Sequence, residues 1–252
     1  MRVIAVMNQK GGVGKTTTTM NLAHALARMK KKVLAIDLDP QAHLTAGLGE
    51  LTHLQSGVDE VLIDGQSIES VVHQTREYLD LLPAGEHLGE MEHSTEGGAQ
   101  RGYKLDKAIH EQVTDKDFIL IDCPPSSGIL GMNALLAANE ILIPVSGDFF
   151  ALQGLSRLIT IFKHLEKSLN KDIRKWVVLT RFHERRKLAQ EVREKIISYF
   201  PNNVLSTHIR ETVALAESPG FGQSIFEYQS GSNGAKDYQA LAEDMINENI
   251  FH

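Results

Sequence analysis

Gln9-Lys10-Gly11-Gly12-Val13-Gly14-Lys15-Thr16-Thr17 is the stretch on which the reading of this chain turns. Val3-Ile4-Ala5-Val6-Met7 precedes it, a short apolar run that predicts a buried strand. Leu22, Ala23, Leu26 and Ala27 follow at helical spacing, predicting a helix from Thr18 to Met29. A glycine-rich turn between a strand and a helix is the setting of a phosphate-binding loop. Glycines let the backbone approach a phosphate with no Cβ in the way, and the loop N–H groups converge at the positive end of the helix. In that setting Lys15 reaches the β- and γ-phosphates, and the Thr16 hydroxyl ligates Mg²⁺.

Outward from the loop, apolar strands alternate with helical stretches. Val33–Ile36, Leu79–Leu82, Phe118–Ile121, Ile141–Val145 and Trp176–Leu179 predict strands, with a weaker one near Val204-Leu205. Leu130–Ala138, Leu152–Leu169, Leu188–Phe200 and Ala235–Ile246 predict helices. Strands apolar on both faces and separated by helices imply a doubly wound, mostly parallel sheet with helices on both faces, an α/β fold with ligands at the carboxyl ends of the strands. With 252 residues and no internal repeat or low-complexity linker, residues 1–252 are expected to form a single domain. Gly85 to Gly102, rich in Gly, Glu and His, reads as a surface excursion. Its His87, His93, Glu86, Glu90, Glu92 and Glu96 match no zinc spacing, so a solvated loop is expected there.

Composition excludes several classes. The chain is 42% hydrophobic and 23% charged, enough for a core without staples. Cys123 is the only cysteine, so no intrachain disulfide can form. With no histidine beside it in sequence, it reads as a small packed residue rather than a nucleophile. No leader precedes the first strand and no apolar run approaches about 18 residues, so a cytoplasmic protein is expected. The net charge of −6 argues against a surface coated for nucleic acid but leaves room for a local basic patch.

Two acidic turns accompany the loop. Asp37-Leu38-Asp39-Pro40-Gln41 ends the second strand, and carboxylates at this spacing beside a phosphate loop can serve a hydrated Mg²⁺ and an attacking water. Phe118-Ile119-Leu120-Ile121-Asp122 is an apolar strand ending in an acid, where Asp122 can hold Mg²⁺ directly or through water. Either turn alone would pass for a polar strand end; behind a phosphate loop they read together as a catalytic set.

The strict phosphate-loop pattern fails at Gln9, and a second lysine, Lys10, opens the loop instead. Lys10-Gly-Gly-Val-Gly-Lys-Thr-Thr17 resembles the deviant Walker A box of the ParA/MinD family of dimerising ATPases, closest to the ParA/Soj type that partitions chromosomes or plasmids. The likeness runs from Met1 to about Met245 and takes in D-x-D-P-Q at Asp37–Gln41 and Cys123-Pro124-Pro125-Ser126-Ser127-Gly128 as switch segments. It implies ATP and Mg²⁺ as cofactors, with Lys10, Gly11, Gly12, Val13, Gly14, Lys15, Thr16 and Thr17 around the nucleotide. It further implies that Lys10 crosses a homodimer interface formed on ATP binding, that Asp39 positions the hydrolytic water, and that Asp37 lies near the metal shell. Asp148–Leu155 resembles a segment that borders the same interface, although its apolar members could equally be core.

Cargo is less marked. Arg174, Lys175, Arg181, Arg185, Arg186, Lys187, Arg193 and Lys195 cluster within one stretch. Family members that move DNA bind it non-specifically through arginines here, and phosphate contacts need only positive charge on a suitable face. The resemblance puts Arg185, with Arg186 beside it, at one such position. The other is Ala214, leaving Arg210 as a stand-in. A solvated helix face with interleaved glutamates is the plainer alternative. The expected function is therefore an ATPase that partitions DNA with a ParB-like or other stimulating partner and is nucleoid-associated if it binds DNA. Positioning of a chemosensory, flagellar or microcompartment cargo is the alternative. A MinD-type membrane ATPase fits poorly, because Ala240 to His252 carries no Lys or Arg for an anionic surface. A reductase like the nitrogenase iron protein would need two cysteines, and no helix-turn-helix domain is expected before Val3.

Overall fold

The computed structural model describes residues 1–51, 55–93, 98–126, 128–147 and 173–251. Among these residues eight strands make one sheet, in the order β3-β4-β2-β5-β1-β6-β7-β8. They are β1 (Arg2–Val6), β2 (Val33–Asp37), β3 (His73–Arg76), β4 (Leu79–Leu82), β5 (Phe118–Asp122), β6 (Glu140–Ser146), β7 (Arg174–Phe182) and β8 (Val204–Arg210). Every neighbouring pair is parallel except β3 and β4. Each predicted strand coincides with an observed one, the first running one residue past β1 to Met7. The polar edge strand β3 was not expected, since His-Gln-Thr-Arg has no apolar face to reveal it.

Alternation along the strands builds two cores. Val3 and Ala5 face one, Ile4 and Val6 the other. Helix α1 (Lys15–Arg28) buries Met20, Leu22, Ala23 and Leu26 against the second face, beside α11 (Asn233–Asn247). The first face is covered by α3 (Val58–Ile63), α6 (Lys104–Gln112), α7 (Ile129–Ala137) and α8 (Lys187–Tyr199). Shorter pieces are α2 (His43–Gly47), α4 (Ile68–Val71), α5 (Glu90–His93), α9 (Val213–Glu217) and α10 (Ile225–Tyr228). The predicted helix at 152–169 and the segment at 148–155 lie outside the described residues. Among the described residues no helix is long and apolar enough to cross a membrane.

The stretch 85–102 departs from a solvated loop. Leu88 is fully buried and Met91 is 4% exposed, both in the core of the first face, and a short helix and a 3-10 turn (Gly98–Tyr103) shape it. His87 and Glu90 do remain on the surface, as an ion pair at 2.9 Å. Among the described residues no cluster of three or more His, Cys, Asp or Glu could hold a metal.

Candidate functional site

Register decides what meets at the carboxyl end of the sheet. Asp122 of β5 stands level with Val6 on one side and Asp37 on the other. Both acidic turns therefore lie on one side of the glycine loop that leaves β1, at the edge where parallel sheets hold their ligands.

The loop is bent by Gly12 (φ +73°) and Gly14 (φ +87°), both in the left-handed region that a side chain strains. Buried Asn8 curls its entry, donating from Nδ2 to the Pro144 carbonyl (2.8 Å) and accepting from the Lys10 N–H (3.1 Å). On the far side two carbonyls are tied to the end of β7. Thr180 Oγ1 donates to Val13 O (2.8 Å), and the Arg181 guanidinium donates to Gly12 O (3.3 Å). Drawing these oxygens outward suits a loop that must turn N–H groups toward an anion.

Lys15 is 8% exposed, and its Nζ donates to the Lys10 carbonyl at 3.4 Å. Burial lowers its pKa, against the opposing pull of Asp122 and Asp39. Asp122 is fully buried. Burial raises its pKa strongly and the neighbouring Asp37 charge raises it further, while the Thr16 and Thr19 hydroxyls act the other way. Thr19 Oγ1 donates to its Oδ1 at 3.1 Å, but among the described residues Oδ2 has no hydrogen-bond partner. Asp37, also raised by burial, is held from inside: its Oδ2 accepts from the Thr45 N–H (2.8 Å) and hydroxyl (2.7 Å), its Oδ1 from the Asp39 N–H (3.3 Å). Asp39 is 8% exposed and accepts from the Gln41 N–H (3.0 Å).

These groups border a cleft of about 610 Å³, within the range of small-molecule sites. Gly11, Gly12, Gly14, Lys15, Thr16, Thr17 and Asp39 line it; Asp122 lies beneath, while Lys10, Val13 and Asp37 are not in its wall. Mg²⁺ at a phosphate loop takes few protein ligands and keeps phosphate and water in its shell. An unpartnered buried carboxylate oxygen beside Thr16 fits that demand. Cys123 is fully buried, its thiol pKa pushed up by burial and its Sγ 3.6 Å from the Ile121 carbonyl, as a packed residue should be.

The opposite wall contains residues that the sequence did not place at the cleft. Thr180, Arg181, Glu211 and Tyr238 line it, with Tyr238 OH 3.3 Å from Thr18 Oγ1. Glu211 pairs with Arg181 (2.6 Å) and His183 (2.9 Å). Only the rule that ligands sit at strand carboxyl ends pointed to Thr180. Thr19 and Thr45, which hold the two acids, carried no signal either.

The basic cluster separates into paired and unpaired members. Arg174 pairs with Glu248, Arg181 with Glu211 and Lys187 with Glu191, and Arg193 lies over the Phe251 ring. Arg185 and Arg186 are exposed on the turn before α8, and among the described residues neither has an acidic partner. Arg210 is held in a two-pronged pair with Asp237 and lines the cleft. Ala214 is buried in α9.

Residues 1–175 match the AAA domain family. The chain is 38% identical over 247 residues to the sporulation initiation inhibitor protein Soj of Bacillus subtilis, covering 97% of this chain and 98% of that protein. It is 36% identical over 248 residues to the chromosome partitioning protein ParA of Myxococcus xanthus, covering 97% and 88% respectively. A cobyrinic acid a,c-diamide synthase from Mycobacterium smegmatis, solved with bound ADP and magnesium, superposes with a TM-score of 0.85 at 29% identity, covering 100% of this chain and 99% of that one. Matched over nearly its whole length by such relatives, this chain belongs to the ParA/Soj family of chromosome-partitioning ATPases, built on the P-loop fold.

Proposed function

We propose that the chain is a Mg²⁺-dependent ATPase that dimerises around ATP, binds DNA without sequence preference as a dimer, and releases it on hydrolysis so that DNA is partitioned. The observation that carries this is the convergence of Lys15, Thr16, Asp39 and Asp122 on one loop whose glycines and carbonyls are arranged to face an anion. The synthase relative with ADP and magnesium supports the cofactor pair.

Lys15, partly desolvated, places its charge on the β- and γ-phosphates, and the loop N–H groups share the charge that develops there. Bound Mg²⁺, held by Thr16 with Asp122 behind it, would supply neutralisation of the phosphate oxygens. Asp39, in the cleft wall, orients the attacking water and takes up its proton. Asp37 keeps the turn that carries Asp39 in register through Thr45. Lys10, at the loop's entry, reaches the nucleotide of a second subunit. Dimerisation follows the triphosphate because only that state offers such contacts. Arg185 and Arg186 supply unpaired charge for the DNA backbone. A ParB-like partner stimulates hydrolysis, and the protein works in the cytoplasm, on the nucleoid.

The test is binding to non-specific duplex DNA with ATP, with ADP and with no nucleotide, across a salt titration, using Asp39→Ala to hold the triphosphate. Binding with ATP alone that weakens steeply with salt is expected, and Arg185→Ala should reduce it. Intact dimerisation without binding in any state would overturn the DNA reading. Buried Ala214 and the Arg210–Asp237 pair favour a second reading, in which the same ATPase positions a protein cargo; that negative result would select it.

A further inference from the structure

Among the described residues the stretch from Gly85 to Gly102 lines no part of the cleft, yet it comes up to both acidic turns that border it. Its start is anchored by buried Asp59, whose Oδ2 accepts from the His87 N–H at 2.8 Å, and its middle by Leu88 and Met91 in the core. Arg101 donates to the Met91 carbonyl at 2.6 Å and fixes the far side. Between these anchors, Gly89 faces Pro40 at a spacing that one added methyl would fill, 3.8 Å from the ring, and Leu38 of the same turn lies in one core with Leu88 and Met91. Pro40 follows Asp39 directly. Three residues further on, Glu92 Oε1 accepts from the Ser126 hydroxyl at 3.2 Å. Its carboxylate also lies on the Gly128 backbone, so that a methyl there would sit 1.8 Å from Oε2. Gly128 precedes α7 with no side-chain cap, and a negative charge at that position is favourable. Ser126 is next to Pro125, which lines the cleft.

We propose that Glu92 is a positioning residue, which ties the Asp122–Gly128 turn through Ser126 to the segment that faces Pro40 and shares a core with Leu38, so that the two acidic turns move as one. The inference rests on the ATPase reading. Without this tie each turn samples its own positions, and the water-orienting carboxylate and the Pro125 wall lose their mutual register. Binding of the diphosphate depends on the loop and not on this tie.

Steady-state hydrolysis by Glu92→Ala tests it. A fall in kcat of roughly threefold to tenfold is expected, the worth of one modest hydrogen bond, with KM for ATP and affinity for ADP unchanged. Glu92→Gln, which keeps the acceptor, should restore most of the rate, and Ser126→Ala should reproduce the loss with no further drop in the double variant. Hydrogen exchange in Glu92→Ala should quicken at residues 37–41 as well as 122–128. Unchanged kcat in folded Glu92→Ala, an equal loss of ADP affinity, or faster exchange in one turn only would overturn the inference. A wild-type protein that does not hydrolyse ATP, or a Lys15→Ala variant as active as wild type, would instead sink the underlying reading.

Discussion

The two walls of the cleft are built on opposite physical terms. Its phosphate wall comes from one run of sequence and one sheet edge, and its charges are withdrawn from water: Asp122 is fully buried and Lys15 is 8% exposed. The facing wall is assembled from β7, the turn after β8, and α11, and its charges are paired at the surface. There the Arg181 side chain is 57% exposed and Glu211 is 40% exposed. Charge in a low-dielectric setting interacts several times more strongly than charge in water. Reactivity should therefore concentrate on the first wall, and the second should give shape and closure.

Lys15→Ala should have the largest effect, lowering ATP hydrolysis by roughly a thousandfold in a phosphate-release assay, the scale of losing a preorganised electrostatic contact. Asp39→Ala should lower turnover by roughly a hundredfold or more while ATP still binds, so that binding and turnover part company. Burial should also appear in pH dependence away from the cleft, because α1 carries His24 against Ser224 and Phe226, and burial pushes it down to about 4. The unfolded chain takes up that proton near 6.5 and the folded chain only near 4. Stability is therefore lost as pH falls through that window, by on the order of 2 to 3 kcal/mol, and His24→Gln should flatten this part of a denaturant-midpoint profile. Thr180→Val should weaken ATP affinity by about threefold to tenfold, since Val13 O loses its donor. Arg181→Ala should change affinity least, by about twofold or less, because an exposed pair contributes little. An Arg181 effect larger than that of Thr180 would break the contrast between the walls.

Features fixed by neighbouring residues could be read directly. Glycines and lysines in one loop, and acids closing apolar strands, announced the fold and the first wall. What escaped depends on contacts across the chain. Thr19 reaches Asp122 over 103 positions, and the pairing of Arg210 with Asp237, 27 residues on, cannot be seen in an arginine. Gly85–Gly102 misled through composition: its glycines and glutamates suggest solvation, while two apolar residues, Leu88 and Met91, anchor it. Helix starts were also placed late, because Lys15, Thr16 and Thr17 already belong to α1 although their side chains serve the cleft.

The contact between Thr18 and Tyr238 spans 220 positions, and this bears on how the chain is made. Ribosomes add about 5 to 20 residues each second, so the glycine loop emerges roughly 10 to 40 s before the tyrosine that closes over its helix. During that interval a nascent chain has a phosphate cradle without a roof. Arrested chains ending on either side of Tyr238 should differ in how well nucleotide shields them from protease, with the shorter ones unprotected. Emergence of Tyr238 would thus itself be the event that admits the molecule to its nucleotide cycle.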